Sequence, residues 1–387
     1  MNHNPFYDPT LKKRHRFNRI FRFFALGSLI LSLFFLFIFL FDMVSKGLPA
    51  YKQTYLLLDV EYTEQSLDDG RMAIDRDYRA VVSRAWFRDF SVEFAKKPEL
   101  MNTKAKVWVL ANAEVDQYVK GSKHRLKDRE IALVDRLKEE GRVEKRLNLI
   151  FFLTGDSKIP ENSGFYSAIV GSVLTMLVCM AVAFPLGVMT AIYLEEFGKD
   201  GKISTLIEVN INNLNAVPSI LFGLLGLAIF INLFGLPRST PLVGGLTLAL
   251  MTLPVIIVSS RAALRSVPDS IRQAGYGLGL TKIQVVRDHV LPLAFPGMMT
   301  GSIIGLAQAI GETAPLIIVG MIAFIPDAPS GVMDAATVMP AQIFTWAGMP
   351  ERAYIERTAA GILVLLAVLI SLNTLAIYLR KKFEVKW

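Results

Sequence analysis

Six long apolar stretches, separated by polar segments of very unequal length, set the plan of this chain. They fall at 23–44, 165–193, 204–234, 241–264, 295–324 and 358–379. Each reaches the roughly 20 residues that a helix needs to cross a bilayer. The pattern predicts an all-α polytopic membrane protein with six transmembrane helices. The first stretch is longer than the apolar core of a cleavable signal peptide and is not followed by a small-residue cut site. It is expected to remain as a first span behind the basic segment 1–22, which holds Lys12, Lys13, Arg14, Arg16, Arg19 and Arg22.

Between the first and second spans, at 45–162, the pattern changes. Charges of both signs are mixed with strand-like runs, TYLLLDVEY and AKVWVLA, and helix-like runs, RDYRAVVSRAWFRDF and KDREIALVDRLKEEG. At roughly 115 residues the segment is large enough for a small mixed α/β domain inserted between helices. The run RLNLIFFLTG that follows is too short to span and reads as a strand or an interfacial piece. No catalytic constellation stands out in this insert.

Composition agrees with the membrane class: 52% of residues are hydrophobic and mean hydropathy is +0.41. The net charge of +8 would fit a nucleic-acid binder, but the basic residues flank apolar stretches, where they mark the cytoplasmic side of a membrane. Arg261, Arg265, Arg272, Lys282 and Arg287 surround the segment 266–292, and Arg380, Lys381, Lys382 and Lys386 lie in the tail RKKFEVKW. Arg352 and Arg357 in 326–357 are offset by Asp327, Asp334, Glu351 and Glu356. This bias predicts cytoplasmic termini, with 195–202 and 266–292 inside and the insert, GLPRST and 326–357 outside. A single cysteine, Cys179, allows no intrachain disulfide. Four scattered histidines, His3, His15, His124 and His289, offer no metal site. The chain has no phosphate-binding loop, nucleophile elbow or H-E-x-x-H motif, so any ATP hydrolysis belongs to another chain.

The segment 266–292, SVPDSIRQAGYGLGLTKIQVVRDHVLP, is charged although it lies between two apolar stretches. Its pattern predicts two short helices joined at Gly279. Ser266 and Asp269 have capping-box spacing around Pro268. Ile271, Ala274, Gly275 and Leu278 share one apolar face. Gly279 can adopt the backbone angles that stop a helix, and Thr281 can cap the next one. That second helix has Ile283, Val286 and Val290 as its face, and Pro292 is expected to close it.

Three membrane stretches carry polarity that lipid would not tolerate unless it faces other helices or a wet path. NINNLNAVPSILFGLLG holds Asn210, Asn212, Asn213 and Asn215; LTLPVIIVSSRAALRSVP holds Ser259 and Ser260; GLAQAIGETAPL holds Gln308, Glu312 and Thr313. For the asparagines, hydrogen bonding between helices is favoured over contact with a substrate. For Glu312 a functional role is favoured: pairing with a basic residue of a partner chain at a gate or interface. A carboxyl kept neutral by burial is its alternative. Gln308 stands one turn before Glu312 and could bond to it.

The segment 266–292 resembles the EAA loop of ABC importer permeases. Gln273, Ala274, Gly275, Gly279, Leu291 and Pro292 keep the register, while Gln273, Gly275 and His289 depart from the consensus residues. With AVPSILFGLLG, the LPVIIVSSRAALRSVPDSIRQAGYGLG run and AQAIGETAP, residues 165–380 are similar to the PstA-type permease family of bacterial phosphate ABC importers. The resemblance implies the type I ABC importer permease fold, in which this loop is a cytoplasmic coupling helix docking in a groove of the ATPase. It assigns Arg272, Gln273, Ala274, Gly275, Gly279, Leu291 and Pro292 to that coupling. Asn213, Asn215, Gln308, Glu312 and Thr313 are the candidates for the translocation path or gate, and no catalytic or metal-ligating residue is expected. The implied partners are a second, PstC-like permease, a PstB-like ATPase dimer that binds ATP and magnesium, and a periplasmic PstS-like phosphate-binding protein, all at the lipid of the inner membrane. No cofactor would sit on this chain and no nucleic acid would bind it. Gln308 occupies a position where the family often has arginine, and the insert is absent from short family members. Alternatives are a permease for another oxyanion such as molybdate or sulfate, a secondary transporter, and a membrane sensor. No convincing repeat supports the second, and the four further spans after the second one argue against the third.

Overall fold

The computed structural model describes residues 11–96, 98–198 and 201–383. His3, the loop positions 199 and 200, and the tail residue Lys386 lie outside the described residues. Among the described residues, five helices are long and apolar enough to cross a membrane, or six if the bent pair Ser204–Asn215 and Ser219–Leu233 counts as one span. The first, α1 (Leu11–Gly47), has no buried residue in its apolar window. Its phenylalanine and leucine side chains point outward on every side, as lipid rather than water requires.

The insert follows with β1 (Lys52–Tyr62), α2 (Arg84–Ala95), β2 (Thr103–Leu110), α3 (Ala113–Lys120), α4 (Asp128–Glu139) and β3 (Val143–Leu147). The strands form one antiparallel sheet in the order β2-β1-β3, with Leu58 opposite Val107 and Tyr55 opposite Glu144. Alternation puts Leu56, Leu58 and Val60 on one face, where they are buried with Phe87, Phe90, Val134 and Leu137 of the helices. Only the second half of RDYRAVVSRAWFRDF is helical, because Ser83 caps the backbone N–H of Ala85 and starts the helix there. RLNLIFFLTG divides into β3 and a short helix, Leu149–Leu153, whose cap Asn148 accepts from the Phe151 N–H at 3.0 Å.

The insert is fastened to the helices by buried polar groups. Trp346 donates its indole N–H to Asp156 at 2.9 Å, and Tyr354 donates to the Ser157 carbonyl at 2.6 Å. Lys120, 7% exposed, sits between Asp116 at 2.5 Å and Glu356 at 3.1 Å. Arg357 is buried and donates to the Ser163 carbonyl. Buried charges persist only when paired, so these pairs hold the sheet and the last span in one orientation.

The membrane core contains α5 (Tyr166–Ile192), α6 (Lys202–Asn215), α7 (Ser219–Gly226), α8 (Pro241–Arg265), α9 (Asp269–Gly277), α10 (Lys282–Gly311), α11 (Ala314–Ile318), α12 (Met339–Ala347) and α13 (Ala353–Phe383). The helix α5 packs along α8 because small residues let the backbones approach. A Cβ on Gly245 would lie 2.7 Å from the Thr175 carbonyl oxygen. Cys179 is buried in this seam, its Sγ 3.5 Å from the Thr252 hydroxyl.

Three expectations about the spans are corrected. The stretch 204–234 is not one straight helix: it bends by 104° between Asn215 and Ser219. Pro218 cannot donate to a helix ladder and steers the residue before it out of helical geometry. The stretch 295–324 begins earlier and ends earlier than expected, since α10 starts at Lys282 and stops at Gly311. Pro292 does not close a helix; it lies inside α10, directly after a wide π-helical turn at Val286–Val290. Such a widened turn accommodates the missing proline N–H.

Candidate functional site

At the end of the bundle opposite the insert, α8 ends at Arg265, α9 turns away from it, and α10 begins. The short helix α9 starts without the expected capping box: Ser266 donates to the Ala263 carbonyl instead, at 2.7 Å, and Pro268 holds the cap position with no side-chain bond. The capping box forms at the next helix, where Thr281 and Gln284 exchange bonds and the Thr281 N–H reaches Gln284 at 2.8 Å. Gly279 lies between them with φ of +79°, the left-handed region that glycine enters without strain.

Arg272 fixes the position of α9. Its Nη2 lies 2.6 Å from Glu196 Oε1, and its Nε donates to the same oxygen at 3.2 Å. It also donates to the Leu264 carbonyl at 3.0 Å and the Val267 carbonyl at 2.8 Å, at the C-terminal end of α8. A cation is favoured there by the helix dipole and by the carbonyls that the helix leaves unpaired. Glu196 is only 5% exposed in its side chain, in a π-helical turn, Tyr193–Phe197, that extends α5. The hydrogen bond to Glu196 raises the already high pKa of Arg272, so the guanidinium is charged at every accessible pH.

A second chain of charges lies beside the first. Glu195 takes Arg265 at 2.8 Å and Arg261 at 3.3 Å, and Arg261 continues to Glu208 of α6 at 2.9 Å. The ammonium of Lys282 lies 5.5 Å from the centre of the Phe197 ring. The acidic pair after α5 therefore links α8 and α9 and, through Arg261, α6. Sequence reasoning missed Glu195, Glu196 and Glu208. The available signal was LEEFG, two carboxylates placed directly after an apolar stretch in a region otherwise rich in arginine.

The remaining loop residues divide into a packed and an open set. Gly275 is buried, and a Cβ there would lie 2.8 Å from a Val285 methyl. Val286 and Val290 are buried, as expected, but Ile283 is 65% exposed and Leu278 79% exposed. Tyr276, Gln273 and Ala274 are also exposed, while Leu291 is half-buried and Pro292 exposed. The loop thus presents a small apolar patch, Tyr276, Leu278 and Ile283, beside an anchored arginine, which is the form of a surface that docks into a groove.

The polar membrane residues gather at two helix breaks. Glu312 is not inside a helix: it follows the last residue of α10 in extended geometry, φ −76° and ψ 126°. Its expected bond to Gln308 is not formed, because the chain has left the helical path. Among the described residues, Glu312 meets no cation. The helices after the two breaks, α7 and α11, pack together, and a Cβ on Gly223 would lie 2.7 Å from Pro315 Cα. Gln308, Asn212, Asn213 and Asn215 are exposed on this chain, and Thr313 is half-buried. The favoured helix-to-helix bonding of the asparagines is not found among the described residues; Asn210 donates within its own helix, to the Leu206 carbonyl at 2.7 Å. Irregular backbone at membrane depth requires protein or water against it, so both breaks mark a covered or wet face.

Residues 183–385 match the model of the binding-protein-dependent transport system inner membrane component family, and residues 8–97 match a domain of unknown function (DUF3333). The chain is 35% identical over 226 residues to phosphate transport system permease protein PstA 1 of Mycobacterium tuberculosis, which covers 57% of this chain and 73% of that protein. It is 35% identical over 218 residues to PstA of Mycobacterium leprae, covering 56% of this chain and 70% of that protein. A solved inward-facing MetNI methionine ABC transporter aligns with a TM-score of 0.44 at 16% identity, over 57% of this chain and 95% of that one.

Breaking the Arg272–Glu196 pair from one side leaves a buried charge alone, a loss on the order of 3 kcal/mol. Arg272→Met and Glu196→Gln should each lower the thermal midpoint of the detergent-solubilised chain. The double variant should lose clearly less than the sum of the two. Strictly additive losses would show that the two groups are not coupled.

Proposed function

Because the chain belongs to the binding-protein-dependent transport system inner membrane component family, we propose that it is the membrane-spanning subunit of an ATP-driven importer of inorganic phosphate. The observation that carries this reading is the match to PstA 1, over 73% of that relative's length. That match supports a transport subunit rather than an enzyme. ATP and magnesium belong to a separate, PstB-like ATPase dimer, and a PstS-like binding protein delivers the anion. A PstC-like second permease supplies the other half of the path. The patch of Tyr276, Leu278 and Ile283 is the part that enters the ATPase groove. Arg272 and Glu196 pass its displacement to α5 and, through Glu195 and Arg261, to α6 and α8. The exposed polar groups at the two helix breaks, Asn213, Asn215, Gln308, Glu312 and Thr313, face the path or the second permease.

The chain lies in the inner membrane with both ends cytoplasmic. The basic residues Lys13, Arg14, Arg16, Arg19 and Arg22 before the first span and Arg380 and Lys381 after the last support that orientation. A cysteine placed at exposed Asp68 in a Cys179→Ser background should be labelled by an impermeant reagent in intact spheroplasts. One placed at Gly277 should be protected, and the opposite pattern would reverse the topology.

Vesicles reconstituted with all four components should take up phosphate when given ATP, and omission of this chain should abolish uptake. Gly279→Val should reduce uptake at least tenfold while the chain remains in the membrane, because a β-branched residue resists a positive φ and adds bulk at the docking face. Normal uptake together with normal ATPase co-purification in this variant would end the coupling role of the loop.

Glu312 meets no cation among the described residues, so a partner's basic residue is its counterpart at a gate or interface. Glu312→Gln should cut uptake tenfold or more while leaving co-purification with the second permease intact. Near-normal uptake would identify a neutral, structural carboxyl instead.

A further inference from the structure

The helix α1 runs unbroken from Leu11 to Gly47, 37 residues, or about 55 Å at 1.5 Å per residue. Its apolar stretch, 23–44, takes up about 33 Å of that length, close to the roughly 30 Å of a bilayer's hydrocarbon. The turns from Leu11 to Arg22 therefore lie at headgroup level and just beyond it, on the same rigid rod as the span.

These turns have two unlike sides. Arg16, Arg19 and Arg22 follow one another at i, i+3 and i+6 along one side. Phe17, Ile20, Phe21 and Phe24 occupy the opposite side at i, i+3, i+4 and i+7. All seven are exposed. The charges are not already satisfied: among the described residues, Lys13, Arg14, Arg16, Arg19 and Arg22 have no ion-pair or hydrogen-bond partner. The sequence also holds no Asp or Glu between Asp8 and Asp42, so no nearby carboxylate competes for them.

A stripe of guanidinium groups fixed at headgroup level meets lipid phosphates directly, with the fork geometry that suits them. The phenylalanines on the other side fit the boundary between headgroups and acyl chains, as on a helix that lies in the membrane surface. A protein partner would have to enter the headgroup layer to cover Arg22, where phosphates already stand.

We propose that Arg16, Arg19 and Arg22 bind the headgroups of anionic phospholipids, while Phe17, Ile20, Phe21 and Phe24 rest against the acyl chains and hold the stripe at that depth. The surface requires that the chain spans a membrane, not that it transports phosphate.

The test uses the full chain, delipidated in a neutral detergent and titrated with phosphatidylglycerol or phosphatidylcholine, with bound lipids counted by native mass spectrometry. Phosphatidylglycerol should bind at least tenfold tighter than phosphatidylcholine, and added salt should narrow the ratio. One basic residue beside an anionic surface is worth about fivefold in binding. The combined Arg16→Gln, Arg19→Gln and Arg22→Gln variant should therefore lower the ratio at least fivefold, and the corresponding lysine variant should keep most of it. A tail variant, Arg380→Gln with Lys381→Gln, should lower it less. No preference for phosphatidylglycerol, or an equal loss in the tail variant, would overturn the proposal. So would displacement of the lipid by inorganic phosphate, which marks a soluble-anion site. Loss of ATPase co-purification in the glutamine variant with its lipid preference intact would assign the stripe to a protein partner, and would overturn it too.

Discussion

A guanidinium seated where three helix ends meet governs the geometry of the loop. Arg272 satisfies the terminal carbonyls of α8, neutralises the nearly buried Glu196 beyond α5, and belongs to α9 itself. These bonds, with a further contact to Asp269 at 3.3 Å, tie the three helix ends together. The exposed patch on the loop therefore rides on a rigid base.

The spans were legible because length and apolarity alone decide what can cross a bilayer, and the insert's sheet was legible from alternation around Leu56, Leu58 and Val60. Gly279 was legible because few residues tolerate its backbone angles. The partners of Arg272 were not, since Glu196 lies on another span and no local rule joins them. The capping box fell at Thr281 rather than at Ser266, where the end of α8 captures the hydroxyl. Pro292 carried the opposite meaning to the one expected, because a π-helical turn can absorb a proline that would otherwise end a helix. The bends at Pro218 and Glu312 were hidden inside stretches whose composition reads as continuous apolar helix.

Those two bends share a physical problem. Each leaves backbone groups without helical partners at a depth where water is scarce, and each is followed by a short helix that packs on the other. Pairing the breaks gathers their irregular backbone where α7 and α11 meet.

The junction between the insert and α13 has a consequence for biogenesis. β1 is the central strand yet is made first, so the sheet cannot close until β2 and β3 have followed it. Asp116 and Lys120 pair within one helix, but Glu356 and Arg357, which complete this buried cluster, arrive only with the final span. Completion of that span is therefore the event that withdraws these charges from water.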